Sequence, residues 1–224
     1  MIFPESERAI TDHYALGISL GGHATWSCLF NEPRITAGMV IVGGPDYLNL
    51  MADRARLSKL PTWTDSDPPG RNFLGSKDFP HSLLAAVRQY DPASMLLGQT
   101  QIPDKDAAFK QGPLPDPSDE DKERLRPILT RRLGGKRILQ ISGGSDKLVP
   151  YRVFEPILTW LKKAFAQGGW FADGGVHFED IIFEAATHQF TPAMMNEVLR
   201  FLAETMTASD NSAIKVGVVR EAKM

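Results

Sequence analysis

Tyr14-Ala15-Leu16-Gly17-Ile18-Ser19-Leu20-Gly21-Gly22-His23 is the stretch on which the fold turns. Tyr14 to Ile18 is a short apolar run that reads as a buried strand. Ser19 follows at once, and the chain then runs through His23-Ala24-Thr25-Trp26-Ser27-Cys28-Leu29-Phe30, which has helical character. The pattern Gly17-x-Ser19-x-Gly21 therefore predicts a strained strand-to-helix turn with a serine at its apex. Such a turn lifts a hydroxyl above a sheet and needs small neighbours so that the chain can pass closely. It also aims the backbone N–H of Leu20 at an oxyanion developing on a carbonyl. A plain glycine-rich turn is the other reading of the same residues.

Outward from this turn, strands and helices alternate. Ile35 to Val42 reads as a second strand, closed by Gly43-Gly44-Pro45-Asp46. Arg137 to Ser142, ending at Gly143-Gly144, reads as a third, and Val176 to Ala185 as a fourth. Glu155 to Gln167 places Ile157, Leu158, Leu161 and Phe165 at helical spacing, and Pro192 to Thr207 carries Met194, Met195, Val198, Leu199 and Leu202 on one broad face. Glu5 to Thr11 reads as the end of a helix. The alternation predicts an α/β fold with a mostly parallel sheet covered on both sides.

Residues 47–133 break the rhythm and predict a mostly helical cap between the second and third strands. Pro103, Pro113, Pro115 and Pro117 make Gln101 to Pro117 a loop, and Ser118 with Asp121 suits a helix cap. Trp63, Phe73 and Phe79 either hold this cap together or line an acyl pocket. The expected organisation is 1–46 with the serine turn, 47–133 as cap, 134–206 as the rest of the core, and 207–224 as a flexible tail.

A serine nucleophile needs a base, and the base needs an acid to orient it. Asp146, in Gly143-Gly144-Ser145-Asp146-Lys147-Leu148-Val149-Pro150, follows the third strand, and His188, in Ala186-Thr187-His188-Gln189-Phe190, follows the fourth. Both are expected at the strand ends where Ser19 emerges. Asp46, after the second strand, is the rival acid. His23 is expected to pack behind the turn, and His177 to sit at a solvated edge; His13 and His81 have no supporting context. There is no G-x-x-x-x-G-K-[ST], G-x-G-x-x-G or H-E-x-x-H motif.

Composition narrows the partners. The 224 residues carry 25 Lys+Arg and 27 Asp+Glu for a net charge of -2, so no strongly basic face for nucleic acid or an anionic membrane is implied. The single cysteine, Cys28, excludes an internal disulfide and a cysteine-based zinc cage. The N-terminus lacks a basic start followed by an apolar stretch, and no run approaches the roughly 20 apolar residues of a membrane span. A cytoplasmic protein is the expectation.

With Gly17-Ile18-Ser19-Leu20-Gly21-Gly22-His23, Gly143 to Pro150 and Thr187-His188 in view, the chain resembles the catalytic part of an α/β-hydrolase. It is most similar in style to the prolyl-oligopeptidase-like and dienelactone-hydrolase-like serine esterases, and the likeness spans Thr11 to about Met206, with 47–133 matching in placement only. The resemblance implies Ser19 as nucleophile, His188 as base and then acid, Asp146 as orienting carboxylate and Leu20 as an oxyanion donor. It implies hydrolysis of a small ester, thioester or lactone, in the style of specialised metabolism, with no metal or organic cofactor. In this family several strands and helices precede the nucleophile, whereas 18 residues precede Ser19 here. The fold expected is thus an α/β-hydrolase lacking its usual first strands and the loop that carries a second oxyanion donor. The strand Tyr14 to Ile18 then becomes an apolar edge inviting a homodimer. A non-catalytic ligand-binding module on the same fold is the alternative function, and acyl transfer would use the same residues as hydrolysis.

Overall fold

The computed structural model describes residues 12–98 and 112–210. The expected helix end before residue 12, most of the proline-rich loop and the tail beyond residue 210 lie outside the described residues. The elements run β1 (His13–Ile18), α1 (Leu20–Asn31), β2 (Ile35–Ile41), α2 (Tyr47–Leu57), α3 (Pro61–Thr64), α4 (His81–Tyr90), α5 (Pro92–Leu97), α6 (Asp119–Arg132), β3 (Arg137–Gly143), α7 (Tyr151–Phe165), a 3-10 turn (Ala172–Gly174), β4 (His177–Phe183) and α8 (Pro192–Asp210). The four strands form one parallel sheet in the order β1-β2-β3-β4. This is the α/β class that the alternation of patterns predicts.

Strand alternation sorts the core into two layers. Val40, Ile138 and Phe178 face a layer built with Trp26 and Leu29 of α1 and Ile157, Leu158 and Leu161 of α7. Met39, Ile41, Leu139, Ile141 and Ile181 face the other way, onto Met194, Val198 and Phe201 of α8. Helix α7 begins at Tyr151, four residues before the sequence pattern places it, and so holds Pro156 inside. The buried side chains Val153, Phe154 and Ile157 around that proline supply the compensating tertiary burial.

The apolar residues between β2 and β3 divide between two cores. Leu96 and Leu97 of α5 and Leu125 and Leu129 of α6 join the layer under α1 and α7. Ala52, Ala55, Trp63, Phe73, Phe79, Leu84 and Val87 form a separate small core. Its rings pack in sequence, with centroids 5.8 Å apart for Trp63–Phe73 and 5.4 Å for Phe73–Phe79. Ser118 caps α6 by accepting the Asp121 N–H at 3.1 Å.

Two carboxylates, the half-buried Asp46 and the buried Asp91, cap helices of this region. Asp46 caps α2 by accepting the Asn49 N–H at 2.9 Å. Asp91 caps α5 by accepting the Ser94 N–H at 3.1 Å and also takes the Tyr47 N–H of α2 at 2.9 Å. Burial, reinforced by the nearby Asp46 charge, pushes Asp91 up to about 8. The unfolded chain releases this proton in the ordinary carboxylate range while the folded chain keeps it, so stability falls as pH rises from about 4 toward 8. Asp91→Asn is expected to flatten that fall, read from urea unfolding at both ends of the window; an unchanged slope would contradict it.

Among the described residues β1 is an edge strand, and its apolar run is not fully buried: Leu16 and Ile18 are 52% and 42% exposed. The Ser19 N–H points at Ile41 O, 2.8 Å away. Backbone alternation therefore turns the N–H and C=O groups of Tyr14, Leu16 and Ile18 away from β2. Such an edge templates further pairing. We propose that this edge pairs two copies of the chain, so that sedimentation velocity shows a dimer which the double substitution Leu16→Lys, Ile18→Asp abolishes; a monomeric unsubstituted protein would contradict it.

Candidate active site

β1 ends at Ile18 and α1 starts at Leu20, so Ser19 alone makes the turn between them. Its φ of 58° and ψ of -117° lie in a region that side chains avoid, a strain of about 1–3 kcal/mol. Close packing of glycines fixes the turn. A Cβ on Gly17 would collide with the Gly21 carbonyl and the Thr25 hydroxyl, and one on Gly22 would stand 3.0 Å from Gly43 Cα. At Gly21 an added Cβ meets nothing within 4 Å. The space-limited glycine on the helical side is thus Gly22, because α1 crosses the end of β2 there and not one residue earlier.

The Ser19 side chain is diverted from the role its position offers. A serine preceding a helix ordinarily caps it with Oγ, but Ser19 makes no such bond. Its Oγ lies instead 2.8 Å from His188 Nε2. His188 Nδ1 lies 2.8 Å from Asp146 Oδ2. Asp146 is buried, and its Oδ1 accepts the N–H groups of Leu148 at 2.8 Å and Val149 at 2.9 Å. With the carboxylate so held, a proton on Nδ1 satisfies it and leaves the Nε2 lone pair facing the serine hydroxyl; this tautomer follows from the hydrogen-bond network.

The loops bearing the acid and the histidine are bound to each other. Gly144 N–H donates to Phe183 O at 2.9 Å, Ser145 N–H to Ala186 O at 3.0 Å, and Ser145 Oγ to Glu184 O at 3.0 Å. The buried Gln140 links the same strand ends. It accepts from Trp26 Nε1 at 2.9 Å, and its Nε2 donates to Gly43 O at 2.9 Å and Ser142 Oγ at 3.1 Å. Nothing in the sequence marks Gln140 for this, since one polar residue in an apolar strand shows its partners only in three dimensions.

The structure thus brings Ser19, Asp146 and His188 together. Asp46 goes elsewhere, to the α2 cap. His23 packs behind the turn, edge-on to Tyr47 with ring centroids 5.7 Å apart, and its Nδ1 lies 2.8 Å from Gly44 O. Burial pushes His23 below the ordinary histidine range; the Arg54 and His188 charges add to this, and the Gly44 bond opposes it. His177 departs from the solvated edge position expected of it: its Nε2 lies 2.8 Å from Glu179 Oε1, under Phe201 of α8, which covers that side of β4. Leu20 begins α1, so its N–H precedes the first bonds that Gly22 and His23 make to Ser19 O, and the helix dipole favours negative charge there. Among the described residues no group of three or more His, Cys, Asp or Glu is placed to hold a metal ion, and no helix is long and apolar enough to cross a membrane.

No protein-family model matches the chain, and no curated protein matches it. A solved structure of Pyrococcus horikoshii acylaminoacyl peptidase aligns with 92% of this chain at 13% identity and a TM-score of 0.39. The chain spans 25% of that protein's length.

Gly22→Ala is expected to destabilise the protein by about 1–3 kcal/mol, the range for overpacking where backbone must move. Gly21→Ala is expected to be neutral or stabilising by up to about 1 kcal/mol, since alanine is the better helix former. Urea unfolding of the two variants checks the contrast, and equal effects would contradict it.

Proposed function

We propose that the protein is a serine hydrolase that cleaves a small carboxylic ester, thioester or lactone through an acyl-enzyme on Ser19. The observation that carries this reading is the diversion of Ser19 Oγ, on a strained turn, from helix capping to His188. A strained backbone and a forgone cap both cost stability, and chemistry at the hydroxyl is what such a cost serves.

The steps follow from the hydrogen bonds. Ser19 Oγ attacks the carbonyl carbon while its proton passes to His188 Nε2, and buried Asp146 stabilises the resulting imidazolium. Negative charge collects on the carbonyl oxygen, where the Leu20 N–H and the N-terminal end of α1 stabilise it. Collapse breaks the bond to the leaving alcohol, thiol or ring oxygen, which takes the proton from Nε2. Water then gives a proton to Nε2 as its oxygen attacks the acyl carbon, and Ser19 leaves with that proton.

Hydrolysis of 4-nitrophenyl acetate tests this. Ser19→Ala and His188→Ala are each expected to lower kcat by at least about 10³-fold, and Asp146→Asn by about 10³–10⁴-fold because the tautomer is lost. A folded protein that binds the ester and never turns it over would overturn the reading in favour of a binding module.

A further inference from the structure

Arg54 lies on the exposed side of α2, with its guanidinium fixed in place. Its Nε and Nη2 donate to Leu148 O at 3.2 and 2.7 Å. Leu148 is the residue whose N–H donates to Asp146 Oδ1. The fork is therefore tied to the loop that orients His188, and the Arg54 and His188 charges are both felt by the ring of His23. Among the described residues Nη1 has no hydrogen-bond partner beside these two bonds.

Arginines both with and without a carboxylate partner occur among the described residues. Arg124, Arg126 and Arg200 each hold a carboxylate. Arg54 holds none among the described residues, although Asp53 is its neighbour in sequence. Asp53 is 1% exposed and already shared by Arg56 at 2.8 Å and Arg152 at 2.7 Å. Asp146 is committed to His188 and two backbone N–H groups. Asp53 is thus committed to two other arginines, and neither it nor Asp146 is left to pair with Arg54. A guanidinium held by a backbone carbonyl needs little further ordering to receive a planar anion, and its geometry suits a carboxylate.

We infer that Arg54 recognises a negative charge on the substrate, so that the site takes an ester or lactone carrying a free carboxylate. The inference rests on the serine hydrolase reading and adds a substrate class to it.

Two matched pairs of esters test it and locate the charge. 4-Nitrophenyl hemiglutarate against 4-nitrophenyl butyrate places a carboxylate on the acyl side; 4-acetoxybenzoate against phenyl acetate places it on the leaving group. In one pair the anionic ester is expected to have the higher kcat/KM by about tenfold, roughly the gain from one hydrogen bond to a charged group. That ratio is expected to shrink in high salt, to collapse toward one in Arg54→Gln and to be partly retained in Arg54→Lys. The retained charge separates recognition from a mere loss of the Leu148 clamp. Ratios near one in both pairs, with the neutral esters hydrolysed, would overturn the role of Arg54, as would a ratio that survives Arg54→Gln. No turnover of any of the four would overturn the hydrolase reading beneath it.

Discussion

Gly22 of α1 lies against Gly43 beyond the end of β2, with so little room that a Cβ on Gly22 would press on backbone. This contact sets where α1 begins and forces the chain to turn within the single residue Ser19. The Ser19 N–H is held by Ile41 O at 2.8 Å, and the Ser19 carbonyl accepts from Gly22 N–H at 2.8 Å. Held from both sides, the backbone stays in a conformation it would leave if the packing relaxed. The hydroxyl then has one direction, toward the strand ends, and the rest of the candidate site is built around that direction.

Parallel order explains how residues 169 positions apart in sequence meet there. Each strand delivers its following loop to the same end of the sheet. β3 places Asp146 and β4 places His188, side by side because the two strands are neighbours. Packing on both faces makes that end rigid: α1 and α7 cover one layer and α8 the other. Gln140 adds a polar link between β3, Trp26 and Gly43 inside an otherwise apolar layer, with its partners satisfied as burial requires. Acid, base and serine thereby share one frame, and the clamp of Arg54 on Leu148 extends that frame to the rim.

The elements with strong local patterns were legible in the sequence. β2 and β3 match their apolar runs within a residue, because a buried strand is a short apolar run closed by glycines, and β1 matches its run although none of its residues is buried. Ser19, Asp146 and His188 could be picked out because the strand-end rule converts position in sequence into position in space. Tertiary contacts were not legible. The crowding of Gly22 instead of Gly21 depends on where two elements cross. The early start of α7 depends on burial that outweighs Pro156. The pairing of His177 with Glu179 depends on α8 covering β4. Arg54 carries no signal in the sequence, because its lack of a carboxylate depends on Asp53 being held by Arg56 and Arg152.

Stoichiometric labelling with a fluorophosphonate, mapped by peptide mass spectrometry, tests the central claim most directly. Such reagents need an activated serine and no knowledge of the substrate. The expected result is one adduct per chain on the peptide containing Ser19, lost when the protein is unfolded before labelling and lost in His188→Ala. A folded chain that takes up no reagent, or takes it up on another residue, would contradict the account.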